Sequence, residues 1–492
     1  MKLQDIIGKA YLLAVFAFLS LLFGLFTIDD NIRYVILAAS ILLLLFIVIR
    51  FDTLYETGKE DIWMPILLFL ICFITRYLYC VFMDSHINQM YDFKSLLDAA
   101  KSGVFADDLR YYRMFLHKFF YPFFLHLSHI TTQSRILFFQ CILASGITVL
   151  LFYIGKEIDG KRLGVIQAAL YIMWPAQLVY IQVVTEEHMA AFWTVLIVFL
   201  LIRLIKRFEK IDMMQKCRND MIELFLMAIL IGGACGICAF FKDWALVILV
   251  GIMICGLYLF IGYDVQRRIC LIVCILCILI GRMGVEHGAI LFAEDRLGVK
   301  ANNGNAVYLY VTLDPDATGG YDLERYLEYF SIAEENDHDF KKTDKIAMEI
   351  LTEKIKNGYK KMPSLLLKKG REAYVSDDHI FDVAFKLEAN GSFQTTFPWV
   401  RPVIGYVGMI YYIGIVLLLL LALLTPNRYN FFVLLCILGG MLVGLLIESQ
   451  GRYKYSIEPI WCIPAAYAFL HWRENILSRM IYRYIGGFRW KL

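Results

Sequence analysis

The chain has 492 residues, 60% of them hydrophobic and only 19% charged, with a mean hydropathy of +0.62. That balance excludes a soluble globular protein, and a net charge of +3 spread along membrane edges excludes a nucleic-acid binder. Twelve cysteines without a disulfide-type spacing exclude a secreted scaffold held by cross-links.

Apolar runs of about 17–23 residues, each long enough to cross roughly 30 Å of hydrocarbon as a helix, recur along the chain. Twelve spans are expected, near 10–28, 33–49, 62–83, 135–154, 163–180, 189–206, 221–240, 244–262, 269–285, 403–424, 430–447 and 456–471. The fold class is therefore an all-α polytopic membrane protein of about twelve transmembrane helices, with interfacial helices and a small external α-rich domain. Residues 1–60 form an N-terminal two-helix extension, and 61–285 the transmembrane core with its first large loop at 84–134. Residues 286–402 form the external domain, and 403–492 the last spans and a basic tail. No small-residue cleavage site follows the first run, which reads as an uncleaved anchor.

Span 3 leads into "QMYDFKSLLDAAKSG", which sets Asp92 between two aromatic residues, with Asp84 before it and Asp98 after it. "RYYRMFLHKFFYPFFLHLSHI" then interleaves aromatic residues with Arg110, Arg113, His117 and Lys118, the pattern of a helix lying in the interface plane. Further on, "VVTEEHMAAFW" puts Glu186 and Glu187 at the mouth of an apolar span; Asp243, Glu448 and Glu458 lie at comparable positions. A carboxylate beside hydrocarbon is costly unless paired or solvated, so these acids either mark where water begins or serve a site.

Orientation follows from the short loops. "RLIKRFEKIDMMQKCR", "GKEIDGKR", "DVQRR" and the C-terminal segment are rich in Lys and Arg and fall on one side of a twelve-span chain. The positive-inside rule makes that side cytoplasmic, with both termini inside and the loops 84–134 and 286–402 outside. All cysteines then lie in spans or cytoplasmic loops, and Cys235-x-x-Cys238 reads as two small buried hydrophobes.

In the second large loop, "DPDATGGYD" is a turn cluster and "DLERYLEYFSIAEE" has helical periodicity. A further helix is expected to start near Thr343-Asp344 and to be interrupted at Pro363. "LLLKKGRE" brings Lys368, Lys369 and Arg371 back toward the membrane, where they can meet lipid headgroups or one lipid phosphate. "ESQGRYKYSIEP" places Arg452 and Lys454 where the positive-inside rule disfavours them; Arg452 can grip a phosphate bidentately, with the Tyr453 hydroxyl as a further donor.

Acids, a basic group and an aromatic interfacial helix suit transfer of a sugar from a polyprenyl phosphate. The tail lies in the bilayer, the phosphate at the headgroup level and the anomeric carbon just beyond. No nucleotide-binding loop is needed, and neither a P-loop nor a Rossmann glycine fingerprint is present in the sequence.

Several segments carry a resemblance. "YDFKSLLDAAKSG", "KFFYPFFLHLSHI", the long stretch from "RILFFQCILASG" through "LYIMWPAQLVYIQVVTEEHMAAFW", "MPSLLLKKG" and "GRYKYSIEPIWCIPAAYAFL" resemble the integral-membrane GT-C glycosyltransferases. The likeness is to the bacterial family-39-like group of dolichyl-phosphate-mannose protein mannosyltransferases and aminoarabinose transferases. It covers about 60–210 well and 360–471 more loosely. The family's Asp-Glu doublet is replaced here by Tyr-Asp-Phe, and two spans precede the segment that usually opens the core.

The resemblance implies a GT-C-like, inverting glycosyltransferase using a polyprenyl-phosphate-linked sugar donor and a glycan, lipid or protein acceptor on the outer membrane face. Asp92 is its catalytic base and Glu186 its second acidic position, with Glu187 the alternative for that role and Asp84 for Asp92. Arg452 is expected on the donor phosphate, with Tyr453, Lys368 and Lys369 as weaker contacts. Membrane lipids are partners, nucleic acid is not, and a divalent metal (Mg or Mn) is the one cofactor the reading admits. A membrane glycan polymerase or ligase with lipid-diphosphate donors, and a lipid-linked-sugar flippase or transporter, are the rival readings. The orientation has a direct test: a cysteine at Asn303 reacts with an impermeant thiol reagent in intact cells, and reaction only after lysis reverses the topology.

Overall fold

A computed structural model describes residues 63–83, 87–105, 117–210, 218–242, 244–298, 306–317, 319–320, 322–387, 400–424, 427–447 and 449–485. The N-terminal extension with its two expected spans lies outside these residues, as do Asp84, Arg110, Arg113, Asp243, Asn303 and Glu448. Every regular element among the described residues is helical.

The chain is a multi-pass membrane protein. In order its helices are α1 (Trp63–Met83), α2 (Tyr91–Ser102), α3 (His117–Leu127), α4 (Gln133–Asp159), α5 (Lys161–Ile172), α6 (Pro175–Val179), α7 (Glu187–Lys210), α8 (Arg218–Ala239) and α9 (Trp244–Gly262). There follow α10 (Val265–Leu297), α11 (Ala306–Thr312), α12 (Leu323–Glu335), α13 (Phe340–Gly358), α14 (Met362–Tyr374), α15 (Asp378–Lys386), α16 (Val400–Leu424), α17 (Arg428–Leu446) and α18 (Glu458–Ile485). Seven of them, α1, α4, α7, α8, α10, α16 and α17, are long and apolar enough to cross a membrane. An eighth span results if α5 and the segment Pro175–Gln182 are counted together, bent by 62°. The expected spans at 244–262 and 456–471 coincide with α9, whose apolar part is shorter, and with the start of α18.

Local chemistry sets the boundaries. Thr132 caps α4 by accepting the Arg135 N–H, and Gly160, at φ +93°, turns the chain directly into α5. The two helices meet at Gly155 and Gly164, where an added Cβ would sit 2.2–2.4 Å from the facing backbone. α10 runs 33 residues, about 50 Å at 1.5 Å per residue, so it continues well past the end expected at 285. Asp264 caps its start and Gly298, at φ +64°, ends it.

The polar unit that follows has its own core of Val307, Tyr310, Val311, Tyr329, Ala333, Phe340, Ala347 and Leu351. Its Asp314, 3% exposed, is held by Arg325 at 3.2 Å and Lys354 at 3.1 Å. α13 starts at Phe340 instead of near Thr343-Asp344, because the Asp339 carboxylate accepts the N–H groups of Lys341 and Lys342. Pro363 stands in the first turn of α14, after the short 3-10 turn Tyr359–Lys361, where its missing N–H costs nothing. The aromatic helix expected in the interface plane is α3, and its Phe119, Tyr121 and Leu125 are fully buried, with Phe120 stacked on Phe240. It is therefore docked against the bundle, with Leu127 left exposed.

The α4–α5 contact makes a stability prediction. Gly155→Ala forces a methyl into the Gly164 backbone and costs about 1–3 kcal/mol of packing strain. Its melting temperature in detergent falls, whereas Gly284→Ala, with nothing within 4 Å of the new Cβ, leaves it unchanged or higher.

Candidate functional site

The site is assembled around a stretch that leaves the helical pattern inside the bundle. α5 stops at Ile172, with Met173 its cap, and Pro175, lacking an N–H, opens α6; a 3-10 turn, Tyr180–Gln182, and extended Val183 lead to α7. Glutamine side chains satisfy the backbone this leaves open, since one amide both donates and accepts. Gln89 donates to the Gln182 carbonyl at 3.0 Å and accepts the Val184 N–H at 3.1 Å. Gln140 donates to the Val183 carbonyl at 2.9 Å, and Gln182 donates to the Ala384 carbonyl at 2.7 Å.

This scaffold presents Thr185, Glu186, Glu187 and His188. Glu187, 2% exposed, accepts from the Tyr180 hydroxyl at 2.6 Å and forms an ion pair with Lys242. Glu186 is 9% exposed, with the Thr185 hydroxyl 3.4 Å from its carboxylate. His188 lies 3.1 Å through Nε2 from the Val183 carbonyl and 2.9 Å through Nδ1 from the Tyr455 hydroxyl. A carbonyl only accepts, so Nε2 carries the proton and Nδ1 accepts from Tyr455. That fixes the imidazole as a brace between α7 and the 451–456 turn.

Two cations approach one ring. Lys242 Nζ lies 4.2 Å from the Tyr453 ring centre and the Arg452 guanidinium 5.3 Å from it. Arg452 also covers Phe93 at 5.1 Å, and its Nε donates to Gln450 at 2.7 Å. Burial acts against the charge of Arg452, but Tyr180, Tyr453 and Glu187 outweigh it and hold the guanidinium above its ordinary pKa. Phe93 is the neighbour of Asp92, an exposed carboxylate in the first turn of α2. The preceding Tyr91 takes φ +50° to start that helix.

The structure thus brings Arg452, Tyr453, Tyr180, Glu187 and the start of α2 together, with Glu186 next along the chain. It separates the other basic candidates. Lys369 is 0% exposed and donates to the Thr312 carbonyl at 3.3 Å. The expected headgroup contact at Lys369 is therefore corrected: it lies on the packed face of α14 and fastens that helix to α11. Lys368, one residue earlier and about 100° around the helix, is exposed. Lys454, 1% exposed, is bound 3.0 Å from Asp377 and 3.9 Å from Glu458. Among the described residues no group of three or more His, Cys, Asp or Glu is placed to hold a metal ion.

Sequence reasoning passed over Lys242. The signal was present, since "CAFFKDWA" sets a lysine at the end of the bundle that the expected topology puts outside, where the positive-inside rule disfavours one, as it does Arg452.

No protein-family model matches the chain, and no curated protein does. Among solved structures it is similar to the archaeal oligosaccharyltransferase AglB from Archaeoglobus fulgidus in complex with an inhibitory peptide and a dolichol-phosphate. There the identity is 13%, the TM-score 0.45, and the match covers 87% of this chain and 53% of that one. It is also similar to the apo form of the Archaeoglobus fulgidus oligosaccharyltransferase, at 14% identity and TM-score 0.46, over 88% of this chain and 53% of that one. The chain spans about half the length of these proteins.

His379, on α15 beside Gly451, makes a pH prediction. Burial, and then the charge of Arg452, hold its imidazole below the ordinary value. A base with a depressed folded pKa contributes stability that is complete above its unfolded value, about 6.5, and is lost as pH falls toward the folded one. The melting temperature of the wild type falls through that window, and His379→Gln removes part of the fall; an unchanged pH profile assigns the loss to other groups.

Proposed function

We propose that the chain is an inverting glycosyltransferase that moves a sugar from a polyprenyl-phosphate carrier to a hydroxyl acceptor on the outer membrane face. The observation that supports it best is the pair Lys242 and Arg452, both over the Tyr453 ring, at the end of an apolar bundle and beside the acidic start of α2. A lipid phosphate is the ligand whose tail suits the bundle and whose head suits the cations.

In this reading Arg452, with its flat fork, grips the donor phosphate and Tyr453 orients it. Asp92 takes the proton of the acceptor hydroxyl as its oxygen attacks the anomeric carbon. The bond from that carbon to the phosphate oxygen breaks, its electron pair leaves on polyprenyl phosphate, and the configuration inverts. Glu186 orients the acceptor, which is a glycan, a lipid or a protein. A divalent ion such as Mg or Mn would add charge stabilisation at the departing phosphate; the steps assigned to the residues do not run through it.

The test is turnover of a panel of polyprenyl-phosphate sugars by purified protein in lipid, followed by release of polyprenyl phosphate. Asp92→Asn lowers turnover by about 10²–10⁴-fold while donor binding survives. Arg452→Ala costs on the order of 2–4 kcal/mol of transition-state stabilisation, and Arg452→Lys recovers part of it. Wild-type turnover in Asp92→Asn removes it as the base, and no release from any donor sinks the enzyme reading in favour of lipid transport.

A further inference from the structure

We infer that Glu187 sets the charge of the phosphate subsite and so selects a carrier with one phosphate over a carrier with two. This deepens the proposed function and rests on its assignment of the Arg452 region to the donor phosphate.

Lys242 and Arg452 bring two positive charges to the Tyr453 ring. Glu187 is 2% exposed, and its carboxylate takes one of them as an ion pair while the Tyr180 hydroxyl holds its other oxygen at 2.6 Å. Those three groups carry one net positive charge between them; Glu186, 9% exposed and next along the chain, adds a negative charge on the acceptor side, which raises the cost of a second phosphate charge further. The neighbouring Lys454 does not alter that sum, because it is spent on Asp377 and Glu458 in a network fully closed from solvent. Asp92 is exposed and screened by water.

A glycosyl polyprenyl phosphate is a phosphodiester with one negative charge, and its diphosphate counterpart has two. The first neutralises the subsite; the second leaves a charge unmatched beside the buried Glu187 carboxylate. The Tyr180 hydroxyl and Lys242 hold one carboxylate oxygen each, so the acid contributes to the site through charge and not by touching the sugar. Glu187 is thus a specificity-determining residue that acts through Lys242.

The experiment is a charge cycle that does not depend on the sugar. The probes are a short-chain polyprenyl methyl phosphate, with one charge, and the matching polyprenyl methyl diphosphate, with two. Dissociation constants are measured on full-length protein in nanodiscs for the wild type, Glu187→Gln, Lys242→Gln and the double variant. Glu187→Gln is expected to shift the ratio of the two constants about tenfold or more toward the diphosphate, and Lys242→Gln by a similar factor away from it. The double variant restores the net charge and returns to within about threefold of the wild-type ratio.

Ratios that stay within about threefold in both single variants overturn the inference while leaving the phosphate site intact. A double variant that shifts as far as either single one overturns it too, since contacts and not charge would then decide. If Glu187→Gln does not fold, Lys242→Gln and the double variant still decide between these outcomes. A wild type that binds neither probe rejects the donor assignment itself.

Discussion

A bilayer core offers no water to a backbone N–H or C=O, and the break between α5 and α6 is where this protein meets that constraint most directly. Pro175 and the bend take away the regular i+4 donors of the last α5 carbonyls, and that of Tyr171 accepts the Trp174 N–H at 3.3 Å instead. The Tyr411 hydroxyl takes the Leu170 carbonyl, and Arg76, 3.3 Å away through NH2, takes that of Tyr171. Arg76 is 0% exposed, with its guanidinium over the Tyr171 ring at 4.8 Å and bonded to Cys72 Sγ at 2.9 Å. The negative end of the helix dipole gives that buried cation a favourable place. The break lets the chain bring Gln177, Gln182 and the acidic Thr185–His188 run to one end of the bundle.

The polar groups beyond the break divide into a closed network and an open one. In the closed one Lys454, Asp377 and Glu458 are each no more than 1% exposed, and the Trp174 indole and the Gln177 amide donate to the two carboxylates. Buried charges of this kind contribute little net stability, yet losing one partner is severe, so the network pins α15, the 451–456 turn and α18 in one relation. The open network of Glu187, Lys242, Tyr453 and Arg452 retains access to solvent through Lys242, whose side chain is 24% exposed.

The polar unit between α10 and α16 is tied to the bundle by similar means. Within the unit Lys369 reaches the Thr312 carbonyl; the Thr312 hydroxyl then reaches the Leu446 carbonyl at the end of α17, and the Tyr374 hydroxyl that of Gly440 on the same helix. Gly319, at φ +91°, passes over Lys369 with no room for a side chain, since a Cβ would stand 2.9 Å from the lysine Cγ. These bonds hold α11 and α14 against α17, and α14 and α15 both pack against the turn that bears Arg452.

Composition and run length determined the membrane class, because hydrocarbon admits only long apolar helices, and the spans now seen at α1, α4, α7, α8, α10, α16 and α17 were legible in that way. Interfacial charge also singled out Asp92, Glu186, Glu187 and Arg452, since a charge at the edge of an apolar run shows in the linear chain. What the linear chain could not carry is pairing. That Glu187 is matched by Lys242, that Lys454 is consumed by Asp377, and that Lys369 is buried while Lys368 is exposed depend on contacts between residues 55, 77 and 57 positions apart, the last to Thr312. Helix ends such as Phe340 and Leu297 shifted for a local reason, a capping aspartate and a helix that continued past its apolar stretch. Charge and hydropathy are properties of single residues and are written in order along the sequence; which charge neutralises which is a property of distance, and only the packed bundle sets it.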